Sequence, residues 1–142
     1  MSYPDYYTAF WTRFRARTPD LPTGSGWKRK PDDLDVNYDG ARSAHWNNVY
    51  CHVGFVGRGT QRRLMVEWYE SDRGLPEWKE YLQQVAAVKL PFTMSVENDQ
   101  GKKFERSRAY LTASLTLDEM EAKRDDLLRI ASDAYRLLVV HL

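Results

Sequence analysis

The sequence predicts an α+β fold: a mainly antiparallel four-stranded sheet with three helices, in the order α-β-β-α-β-β-α. Three observations carry this expectation. Alternating apolar and polar residues appear in two pairs of segments, 46–56 with 61–70 and 92–96 with 103–111. Each pair is joined by turn residues, Gly57-Arg58-Gly59 in one and Asn98-Asp99-Gln100-Gly101 in the other, as a hairpin requires. Apolar residues at helical spacing precede, separate and follow the pairs. Hairpins make neighbouring strands antiparallel, and the helices then gather on one side of the sheet.

The first helix is read over 4–17. Ser2 caps it, Pro4 fits its first turn, and Asp5 suits its positive end. Tyr6, Tyr7, Phe10, Trp11 and Phe14 recur at three and four residues, an apolar stripe for a core. Residues 18–44 hold Pro19, Pro22, Gly24, Gly26, Pro31 and Gly40, which break regular structure. They read as one long irregular loop, pinned by Trp27. The strand pair follows: Val49, Cys51, Val53 and Phe55 alternate with polar neighbours, then Leu64, Val66 and Trp68 do the same. A second helix spans 76–89 and stops at Pro91. Phe92, Met94 and Val96 begin the second hairpin. The last helix opens at Thr116-Leu117-Asp118-Glu119, a capping box, and buries Leu117, Met120, Leu127, Ala131, Ala134, Leu138 and Leu142.

At 142 residues the chain suits a single domain, 1–142, that buries roughly two-thirds of its unfolded surface. A net charge of +1 argues against a strongly basic nucleic-acid binder, though not against a local basic patch. The lone Cys51 removes any disulfide framework and reads as a small buried hydrophobe. The N-terminal residues match no signal or transit peptide, and no apolar run is long enough to cross a bilayer. These features predict a cytoplasmic protein without a membrane partner. No cofactor and no metal are expected.

The strands carry the functional signal. With aliphatic residues turned to the helices, period two places Trp46, Tyr50, His52, Arg63 and Tyr69 on the opposite face. In the last strand Phe104, Arg106, Arg108 and Tyr110 alternate with Glu105, Ser107 and Ala109. Rings beside guanidinium groups suit a protein interface, and also the stacking and phosphate contacts of single-stranded nucleic acid. The plainer alternative is that Arg63, Arg106 and Arg108 pair across strands with Glu67 and Glu97. The carboxylates Glu67, Glu70 and Asp72 lie close enough in sequence to suggest a magnesium site, against a solvated strand end. Phosphate-loop, nucleophile-elbow and zinc-helix motifs do not occur, and Glu97 and Lys102 have the wrong spacing for a restriction-nuclease site.

The run Tyr7-x-x-Phe10-Trp11, the strand Arg63-Leu64-Met65-Val66 ending in Tyr69, a helix at 78–88, a strand at 92–96, the 104–110 strand and a terminal helix form one pattern. In that pattern the chain resembles an uncharacterised bacterial domain family, often found C-terminal to restriction-endonuclease-like domains and also found alone. It departs from the family at Met94, where tryptophan is usual, and in having no tryptophan after Trp78. The resemblance implies a specificity or interaction role in bacterial or phage restriction and defence, and it carries over no catalytic residue. The expected function is a non-catalytic binding module using the aromatic and arginine face. A protein partner or homo-oligomer is the first expectation, with nucleic acid as another partner. A metal-dependent phosphodiesterase and a structural homodimerisation domain are the alternatives.

Overall fold

A computed structural model describes residues 1–20, 37–38, 49–70, 95–99 and 105–140, with side chains described for 1–20, 53–67 and 108–137. Helix α1 (Tyr3–Arg17) begins where the sequence places a cap. Ser2 Oγ accepts from the Asp5 N–H at 3.3 Å and donates to the Asp5 carboxylate at 2.8 Å. Asp5 in the first turn and Arg15 and Arg17 in the last complement the helix dipole. At the other end Thr18 Oγ1 donates to the Phe14 carbonyl at 2.8 Å, satisfying a terminal acceptor. Beyond it, Arg136 donates to both oxygens of Asp20, at 2.7 and 3.0 Å. That bidentate hydrogen bond holds the Asp20 carboxyl below its ordinary range.

Among the described residues five strands form the sheet: β1 (Asn37–Tyr38), β2 (Val49–Val56), β3 (Arg63–Glu70), β4 (Ser95–Asp99) and β5 (Glu105–Tyr110). Their spatial order is β1-β2-β3-β5-β4, and every pairing is antiparallel. The turn between β2 and β3 needs glycine. Gly57 has φ +150°, and a Cβ there would sit 2.3 Å from the Gln61 carbonyl oxygen. Gly59 has φ +62°.

The chain closes with α2 (Leu117–Ala122), α3 (Arg124–Ala134) and a π-helical segment, Tyr135–Val140. The capping box is present: Thr116 Oγ1 accepts from the Glu119 N–H at 3.2 Å and Glu119 reaches back to the Thr116 N–H. The interruption falls at Lys123, whose ψ of 15° lies outside the helical basin. No described helix is long and apolar enough to cross a membrane.

The core lies between one face of the sheet and the helices. Val53, Phe55, Leu64, Val66 and Ala109 share a buried cluster with Tyr6, Phe10 and Phe14 of α1 and with Leu127, Ala131 and Ala134 of α3. The aromatic stripe of α1 is therefore core. Phe55 is its centre, 5.0 Å from Phe10 edge-on and 5.3 Å from Tyr7 in a stack. Burial pushes the Tyr6 hydroxyl well above the usual phenol range and raises that of Tyr7.

The fold is α+β, but the expected element order and strand count are overturned. Among the described residues the sheet has five strands rather than four, and the elements run α1, five strands, α2, α3 and the π-helix. The added strand, β1, lies within the expected irregular loop, where it pairs Asn37 with Gly54 and Tyr38 with Val53. Two residues are too few for period two to register. Asn98 and Asp99, expected in a turn, instead continue β4 opposite Ser107 and Arg106. The expected single terminal helix is divided at Lys123. The helix expected over 76–89, Trp27, and the strand start at Phe92 and Met94 lie outside the described residues.

Candidate interaction face

The register sets the second face of the sheet in rows, because directly paired residues of an antiparallel sheet share a face. One row runs Gly54, Met65, Tyr110, Ser95. The next runs His52, Glu67, Arg108, Glu97. The third runs Tyr50, Tyr69, Arg106, Asp99. Successive rows lie about 7 Å apart, two residues of strand. The period-two alternation thus separates this face from Val53, Phe55, Leu64, Val66 and Ala109, which pack toward the helices.

The described side chains of this face are engaged with one another. Arg108 donates through Nε to the Glu67 carboxylate, across the β3–β5 pairing. Glu67 is only 1% exposed, whereas the Arg108 side chain keeps 22% of its surface. A carboxylate this deep needs such a partner, since an uncompensated buried charge is costly. At the end of the sheet the Arg63 guanidinium lies 3.7 Å from the centroid of the Tyr110 ring. Its Nε also donates to the Thr112 carbonyl at 3.3 Å. Thr112 Oγ1 in turn accepts from the Leu64 N–H at 3.1 Å.

The face is therefore not open throughout, and for Arg108 the plainer of the two sequence readings, a cross-strand pair with Glu67, is the one found. Met65, Glu67 and Tyr110 are buried, at 2%, 1% and 9% exposure. Alternation identifies the face on which a residue sits and says nothing of what covers it. Of the expected contact residues, Arg63 and Tyr110 touch, and Arg108 pairs with Glu67. The backbone register brings Tyr50, Tyr69 and Arg106 into one row and His52 into the row of Arg108. Trp46 and Phe104 lie outside the described residues.

Glu67 is also the first carboxylate of the suggested magnesium site. Its engagement by Arg108 removes it from that role, and Asp72 lies outside the described residues. Among the described residues, no three His, Cys, Asp or Glu side chains gather closely enough to hold a metal ion.

Sequence reasoning missed a second arginine arrangement. Arg62 follows the β2–β3 turn, and its guanidinium lies 4.3 Å from the Tyr3 ring centroid. Its Nε donates to the Tyr7 hydroxyl at 3.1 Å, and its Nη1 to the Gly59 and Gln61 carbonyls at 2.8 Å. The Tyr3 hydroxyl closes the contact by donating to the Thr60 carbonyl at 2.7 Å. This network ties α1 to the turn. Its role is structural, because its donors and rings are spent on the protein.

Together these features define an α+β protein with an antiparallel sheet, one face packed on helices and the other bearing rows of tyrosine, arginine and carboxylate. No family model, no curated protein and no solved structure matches the chain.

Proposed function

We propose that the chain is a non-catalytic interaction module that binds a protein partner through the Tyr50–Tyr69–Arg106 end of the second sheet face. The supporting observation is the register, which aligns these three positions across β2, β3 and β5. Tyrosine and arginine are enriched at the centres of protein interfaces, where they dominate binding energy.

The charges favour a protein over nucleic acid. The Arg106 row closes on Asp99, and the neighbouring row sets Glu67 and Glu97 against Arg108. The two rows together carry three carboxylates and two arginines, whereas phosphate recognition calls for a cationic surplus. The resemblance to a restriction-associated family makes a restriction or defence protein the first partner to examine.

The test is affinity capture by the full chain from its source cells, with folding checked by circular dichroism. Arg106→Ala and Tyr69→Ala should each lose the partner that the wild type retains, while Arg15→Ala, at an exposed position of α1, should keep it. Equal recovery with all three variants would contradict the proposal. Salt-dependent capture of a single-stranded oligonucleotide that Arg106→Ala abolishes would replace the protein reading with the nucleic-acid one.

A further inference from the structure

We draw no further inference here: the strongest candidate, the outer edge of β4 at the end of the sheet, carries nothing, because nothing in the structure shows what covers it.

Discussion

Replacing Arg108 by alanine is expected to destabilise the folded chain by about 3 kcal/mol, the lower end of the range for breaking a buried ion pair. The asymmetry of the pair sets the estimate. Glu67 is 1% exposed, so loss of Arg108 takes a charged hydrogen bond from a carboxylate that water cannot reach to replace it. Arg108 keeps 22% of its side-chain surface, which tempers the loss. Removing both charges is different: Glu67→Leu with Arg108→Met leaves no buried carboxylate and should cost less than Arg108→Ala alone. Urea unfolding with unchanged m-values measures all three. A loss under about 0.5 kcal/mol for Arg108→Ala, the scale of a surface pair, would mean that Glu67 does not depend on the arginine.

Replacing Phe55 by alanine is expected to cost about 3–5 kcal/mol, the range for deleting a buried aromatic ring. Phe55 is 1% exposed and lies on the helix-facing side of β2. Its ring meets Tyr6 at 6.0 Å, Tyr7 at 5.3 Å, Phe10 at 5.0 Å and Trp11 at 5.7 Å. All four neighbours belong to α1. The helix is pinned at one end by the Arg62–Tyr3–Tyr7 contacts and at the other by Thr18 and the Asp20–Arg136 pair. It cannot settle into the space a lost ring leaves, and a cavity that stays open carries the larger penalty. Phe55→Leu keeps most of the volume and should cost clearly less. Thermal unfolding of both variants checks the ranking, and equal losses would show that the cavity is not what matters.

Much of this was legible from residue spacing. The α1 stripe places Tyr6, Tyr7, Phe10, Trp11 and Phe14 in the core because side chains three and four apart share a helix face. Period two assigns Phe55, Leu64 and Val66 to one face of the sheet and Arg63, Met65 and Arg108 to the other. The illegible features are non-local or very short. That β5 rather than β4 lies beside β3 depends on how two hairpins dock, which no local pattern encodes. That docking also decides for the Glu67–Arg108 pair, one of the two readings the spacing left open, and brings the burial that closes part of the expected face. The break at Lys123 escaped notice because the apolar spacing of the last helix runs through it.

The account rests on the β3–β5 register, since a slip by one residue would send every side chain of a strand to the other face. Interstrand backbone NOEs measure it directly. The register requires contacts joining Tyr69 to Arg106, Glu67 to Arg108 and Met65 to Tyr110. Contacts joining Trp68 to Arg106 or Val66 to Arg108 would turn the arginines toward the helices and contradict the interaction face.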